Sequence, residues 1–304
     1  MDRKRQVTSR TALSRIPSRA DLLDKERGTY LKKWKGLLPV GLLYPNHYRV
    51  GMSNLGFQLV YRILNECRTL VCERLFLPET DQQLVSLESG RPPADFSVIF
   101  ISVSFEHDYI NLARFFLASG LEPLASRRGE SIEPGNPLVV CGGVAAFMNP
   151  EPLADFVDLF VVGEAEPLLP LLIDKLSDDD LSDRRRLLSL LNRDHDGFYA
   201  PLLYQPHYDG QARFERFEPE PGLPKRIRRI GLESTVFSAH SELLTPETEF
   251  SDLYLTELGR GWSRGCRFCT AGFVYRPPRL WDIEAILKSL QERPRGIDRI
   301  GLLG

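Results

Sequence analysis

The run Phe96–Val103, FSVIFISV, carries no charge and interrupts its apolar residues only with two serines. A stretch this short and this continuous does not alternate between a wet and a dry face. It suits a strand covered on both sides, the usual setting of a parallel sheet. Val40–Tyr44, Val71–Leu77, Leu138–Cys141 and Val157–Val162 read as further strands. Helical spacing falls between them. Leu59, Val60, Ile63 and Leu64 mark one helix within Gly56–Glu66, His107–Ser119 marks a second with Gly120 as its C-cap, and Glu166–Leu176 a third. Five strands with interleaved helices predict a doubly wound α/β domain over residues 36–176.

In such a sheet, of flavodoxin or Rossmann-like type, ligands sit at the carboxyl ends of the strands. The loops reaching that edge are Pro45–Ser53, Ser104–His107, Gly142–Ala146 and Gly163–Glu166. Gly142, Gly143, Gly163 and Glu164 are therefore candidate ligand contacts, because glycine lets a backbone approach a ligand closely. The same glycines are equally explained by tight strand-to-helix turns. Glu106, His107 and Asp108 follow the third predicted strand. Asp108 and Glu166 also suit the start of a helix, where the dipole favours negative charge.

Residues 1–35 form a basic, Ser- and Arg-rich lead-in expected to be disordered or loosely docked. Residues 177–250 read as a connector. It holds a surface helix at Asp183–Arg193 and a hairpin, Phe198–Tyr208 with Gln211–Phe217, turned at Asp209-Gly210. The cluster Lys225–Arg229 (KRIRR) suits a solvated segment. In residues 251–304, Leu253–Leu258 is a strand, Asp282 an N-cap, and Arg299–Leu303 a second strand. Ile283, Ile286, Leu287 and Leu290 lie on one face of the helix between them. One β-loop-α-β unit does not bury its own core, so this part reads as the truncated start of a larger structure.

Composition excludes several classes. The 304 residues carry a formal net charge of -2, which gives no general case for nucleic acid or an anionic membrane. No apolar run approaches the length of a membrane span. Cys67, Cys72, Cys141, Cys266 and Cys269 are too sparse for a disulfide framework. They fit a reducing, cytoplasmic compartment.

The stretch Leu253–Arg279, LYLTELGRGWSRGCRFCTAGFVYRPPR, joins a strand to a Gly-Arg-Gly and a two-cysteine loop. Alone, a C-x2-C pair is half a zinc site or a redox pair. Within this run it resembles the C-x3-C-x2-C cluster loop of the radical S-adenosylmethionine (radical SAM) superfamily. Upstream, YPNHYRVGMSNLGFQLVYRILNE, CERLFLP, PLVVCGG and VVGEAE look like the members with an N-terminal cobalamin-binding-type domain. The resemblance covers most of residues 36–304. It implies a partial TIM-type barrel whose first strand ends in the cysteine loop. It also implies a [4Fe-4S] cluster with S-adenosylmethionine on its open iron, and an electron donor that drives radical formation. Cys266 and Cys269 would be metal ligands, and Phe268 would pack beside the cofactor.

Two departures bear on this. Trp262 stands where the first cysteine belongs, and indole offers an N–H donor but no thiolate. The residue is either a deliberate loss of chemistry or a single lesion in an ordinary member. The loop Pro45–Gly51 lacks the Asp of the D-x-H-x-x-G cobalamin signature, and His47 is four residues from Gly51, so cobalamin is left open. The expected function is a radical SAM protein acting on a small or macromolecular substrate that no motif specifies. The alternative is a non-catalytic module binding a cobalamin- or nucleotide-like ligand.

Overall fold

The apolar runs become the strands of one sheet. The computed structural model describes residues 17–79, 82–178, 181–251, 253–268 and 270–304. The chain runs α1 (Arg19–Lys25), β1 (Leu38–Tyr44), α2 (Tyr48–Met52), α3 (Leu55–Glu66), β2 (Leu70–Phe76), β3 (Val98–Ser102), α4 (His107–Ser119), β4 (Leu138–Gly142), α5 (Val144–Met148), β5 (Leu159–Val161), α6 (Ala165–Asp178), α7 (Arg184–Asp194) and β6 (Phe198–Tyr199). Strand order is β2-β1-β3-β4-β5-β6. The first five are parallel, with Val40 opposite both Cys72 and Val98, and β6 is antiparallel to β5. The chain reverses its direction of travel across the sheet between β1 and β3. That is the switch point at which doubly wound sheets open a crevice.

The predicted α/β class is what forms. Val40, Leu43, Val98, Ile99, Leu138, Cys141, Leu159 and Phe160 are all fully excluded from solvent. Asn54 caps α3 by accepting from the Phe57 amide, and Gly120 ends α4 at φ 70°. The predicted hairpin is corrected. Phe198 and Tyr199 leave it to become β6, because their rings belong to the main core, Tyr199 stacking on Phe160. The hairpin proper is β7 (Tyr204–Tyr208) with β8 (Phe214–Pro219). Its turn is longer than two residues, because the Asp209 carboxylate accepts from the Gln211 and Arg213 amides.

Residues 17–35 are not a loose lead-in; residues 1–16 lie outside the described ones. Glu26 forms a bidentate pair with Arg74, whose Nε also donates to Glu88 at 2.6 Å. The Arg74 and Glu26 side chains are fully buried, and Arg74 also lies over the Tyr61 ring at 4.7 Å. The strap before β1 is thus pinned to the edge strand by buried charge.

The second unit is β9 (Tyr254–Glu257), β10 (Gly259–Arg260), α8 (Ala271–Val274), β11 (Arg279–Leu280), α9 (Ile283–Gln291) and β12 (Ile300–Leu303). β9 and β12 are parallel, and β10 pairs with β11. β9 is buried because the outer face of α3 covers it: Leu55, Leu59, Ala239 and Leu255 form one cluster. The face expected on α9 is not covered in the same way. Ile283 and Leu287 are 70% and 52% exposed, whereas Ser289 is buried against Tyr254 and Thr256.

Truncating Arg74 to Ala leaves Glu26 and Glu88 buried without their cation. Breaking such a pair costs about 3–5 kcal/mol. The expected result is a urea unfolding midpoint lowered by that free energy divided by the m-value, with the m-value itself unchanged.

Candidate functional site

A cavity of about 660 Å³ lies where the carboxyl ends of β3, β4 and β5 meet the carboxyl ends of β9 and β12. Its wall on the sheet side includes Ser102, Ser104, Gly142, Gly143, Gly163 and Glu164, and α3 contributes Leu59 and Val60 together with its N-cap Asn54. Its other wall is Glu257, Gly259–Trp262, Tyr275 and Leu303. The volume falls in the range of small-molecule sites, which combine apolar walls with a few polar groups. The structure brings four of the candidates, Gly142, Gly143, Gly163 and Glu164, to one cavity.

The structure gives Gly143, Gly163 and Glu164 a further role, and Gly142 none. Gly143 has φ 103°, and a Cβ there would overlap the Val103 carbonyl. Gly163, at φ 150°, would overlap the Ile230 carbonyl. Both are glycine because another strand of backbone passes against them. At Gly142 a Cβ would meet only ordinary contacts, the nearest being Val161 at 3.7 Å.

Glu164 is held by cations. Both guanidinium Nη atoms of Arg279 reach its carboxylate, Arg260 lies at 3.2 Å, and the Leu232 amide donates at 2.7 Å. Burial pushes this carboxyl up, but Arg279, the Leu232 amide and Arg260 outweigh it and hold it below the usual range. Arg260 is the hub. Its Nη2 donates to Glu166 at 2.6 Å and its Nε to Glu257 at 3.0 Å. Burial disfavours its charge, yet Glu166 and Glu257 hold its proton more tightly than usual. Glu257 is raised by burial despite Arg260. Glu166 Oε2 is buried and has no hydrogen-bond partner among the described residues. Glu166 does lie in the first turn of α6, and its ion pair with Arg260 adds to that helix-start role.

The remaining candidates lie elsewhere. Asp108 caps the loop before α4, accepting from the Ser104 and Phe105 amides at 3.1 Å. His47 is exposed, does not line the cavity, and has Nδ1 3.1 Å from the Leu77 carbonyl. Cys266 is half-buried and Phe268 is 92% exposed; neither is among the cavity-lining residues. Cys269 lies outside the described residues. Trp262 does line the cavity and is 48% exposed. Sequence reasoning missed Arg260, Arg279 and Tyr275. The available signal was local: residues 258–279 hold five arginines and no acidic residue.

Two expectations follow for the clamp. Arg260→Ala strands Glu166 and Glu257 and should lower stability by about 3–5 kcal/mol. The second concerns pH. Because the folded Glu164 carboxyl titrates below its ordinary value of 4.5, its stabilising contribution is present above that pH and is lost as pH falls through the depressed folded value. Hydrogen-exchange protection of the Leu232 amide should fall with it, and Glu164→Gln should remove that pH dependence.

Residues 56–201 match the family model described as radical SAM proteins, N-terminal. An uncharacterized protein of Methanocaldococcus jannaschii is 26% identical over 257 residues, covering 83% of this chain and 45% of the relative. The chain thus spans about half that relative's length. No solved structure matches it. Among the described residues no helix is long and apolar enough to cross a membrane. The match to the N-terminal region supports a relation to the radical SAM proteins over that stretch of the chain.

Proposed function

We propose that this chain is a radical SAM-type protein that binds a ligand in the cavity between its α/β sheet and its cysteine loop, without the superfamily's cluster chemistry. The superfamily implies a [4Fe-4S] cluster held by three thiolates, with S-adenosylmethionine as its partner and an electron donor. The donor set here does not fit that cluster. Cys266 and Cys269 supply the second and third thiolates, and the first position is Trp262, whose indole nitrogen is a donor only. Thiolate is the ligand that such clusters require. No reaction step is therefore assigned to cluster or S-adenosylmethionine in this chain, and no residue is assigned a catalytic role.

The observation that carries the reading is the place of Trp262. Trp262 is among the residues that line the cavity, so the position where the resemblance would put a cluster ligand belongs to the ligand site instead. The glycines on either side of Arg260 support it. A Cβ on Gly259 would overlap the Arg279 carbonyl, and one on Gly261 the Tyr275 carbonyl. The backbone entering the loop is thus closely packed at both glycines. Cobalamin is not favoured as the ligand by any side chain: His47 is engaged near Leu77, away from the cavity.

The test is anaerobic reconstitution of this chain beside Trp262→Cys, with iron, sulfide and electron paramagnetic resonance as readouts. The expected result is a cluster signal in the variant and only background iron in the parent. A stoichiometric cluster in the parent would show that another ligand completes the site, and would return the chain to the radical enzymes.

A further inference from the structure

A second concavity, of about 480 Å³, lies at the amino ends of β9 and β12, opposite the strand ends that lead to the cysteine loop. Three parts of the chain enclose it. They are the strap before β1, through Lys25 and Arg27, residues of the 241–250 segment, and the turn Gly296–Arg299. Met52, Ser53 and Gln58, where α2 gives way to α3, complete the lining.

These walls are fixed by hydrogen bonds that engage their polar groups. Arg27 and Leu244 exchange two backbone hydrogen bonds, at 2.9 and 3.1 Å. Next to them Gly28, at φ 93°, passes so close to Glu242 that a Cβ would overlap its carbonyl. The buried Gln58 accepts through Oε1 from the Glu242 and Leu243 amides, both at 3.0 Å. Ser53 Oγ accepts from the Glu249 amide and Ser241 Oγ from the Leu255 amide, both at 2.9 Å. A concavity held in this way needs little ordering to receive a ligand.

Two guanidiniums are the exception. The charged lining is three cations, Lys25, Arg27 and Arg299, against one carboxylate, Asp298. Lys25 is engaged by Glu247 at 2.5 Å. Arg27 and Arg299 are exposed, and their side chains form no ion pair, hydrogen bond or ring contact with the described residues, Asp298 included. The Arg27 backbone is spent on Leu244 and the Arg299 carbonyl on the Tyr254 amide, which leaves the side chains as their free polar groups. The fold thus brings two unpaired arginines from opposite ends of the chain to one small concavity. One guanidinium fork already fills a carboxylate, whereas a phosphate has oxygens enough for two. Leu243, Phe250, Leu253 and Leu255 are also in the lining and suit a carbon body. The volume is that of a small-molecule site.

We infer that this concavity binds a small organic phosphate monoester, its phosphate shared by Arg27 and Arg299 and its carbon body against the leucines. No bond is made or broken. The inference is independent of what the first cavity holds and of whether the cysteine loop carries iron. Arg27 belongs to the strap of the sheet unit and Arg299 to the turn before β12, so the bound phosphate ties the two units together at the end remote from the cysteine loop.

The test uses the full chain with phenyl phosphate, inorganic phosphate and benzoate, followed by calorimetry and hydrogen exchange. Phenyl phosphate should bind saturably, more tightly than either of the others, and raise the melting temperature. Arg27→Gln and Arg299→Gln should each weaken it about tenfold or more, the size of a lost charge-assisted hydrogen bond. Arg295 is exposed nearby but does not line the concavity, and Arg295→Gln should change the affinity by less than about twofold because solvent screens it. Both target arginines are exposed and unpaired, so their variants should keep the parent's melting temperature in the absence of ligand. In the parent, phenyl phosphate should slow amide exchange in residues 241–250 and 296–299, a readout that needs no variant. Slowed exchange in residues 257–262 instead would move the ligand to the first cavity and overturn the inference. Equal weakening by Arg295→Gln would do the same by reducing the site to diffuse positive charge. Benzoate binding as tightly as phenyl phosphate would overturn the phosphate assignment, and inorganic phosphate doing so would overturn the carbon body. No saturable binding of phenyl phosphate at millimolar concentration would sink the inference outright.

Discussion

Arg260 holds the two units of this protein together. Its guanidinium reaches Glu257 on its own unit and Glu164 and Glu166 at the end of β5. A charge this enclosed is tolerated only with close partners, because desolvation alone would cost several kcal/mol. The partners must therefore stay, and with them the geometry of the cavity that lies between. Arg279 adds a second tie to Glu164 and to the Leu232 carbonyl. The mouth of the site is thus set by ion pairs, while its floor is set by the sheet.

The sheet was legible in the sequence because burial on both faces leaves a direct trace. Runs such as FSVIFISV suit a strand of a sheet covered on both faces. The cysteine loop was legible for a different reason: spacing and residue type together are unusual. What was not legible depends on contacts between distant residues. Arg260 meets Glu166, 94 positions away, and nothing in Gly-Arg-Gly announces it. Phe198 and Tyr199 looked like part of a hairpin, and only the proximity of Phe160 turns them into a sixth strand.

The glycines make the same point from the other side. Gly143 and Gly163 were visible as strand-end glycines that could serve a ligand or a turn. The structure gives a third reason, close passage of Val103 and Ile230 backbone, which no local pattern encodes. They still line the cavity, so one small residue meets a packing need and leaves room at the site. On α9 the helical period was read correctly, yet Ile283 and Leu287 face solvent. Periodicity reports which residues share a face, and the neighbours decide whether that face is buried.

Helix α3 has a consequence for how the molecule comes apart. Phe57, Tyr61 and Leu64 point into the sheet core, while Leu55 and Leu59 on the same helix close over Leu255 of β9. One helix is therefore shared property of two hydrophobic layers. A chain cut near residue 250 would expose apolar side chains on both halves, each worth about 2 kcal/mol when fully buried. Neither half inherits a finished surface. The two layers are expected to melt as a single cooperative transition, and a seam that looks like a domain boundary in the sequence is, mechanically, the middle of the structure.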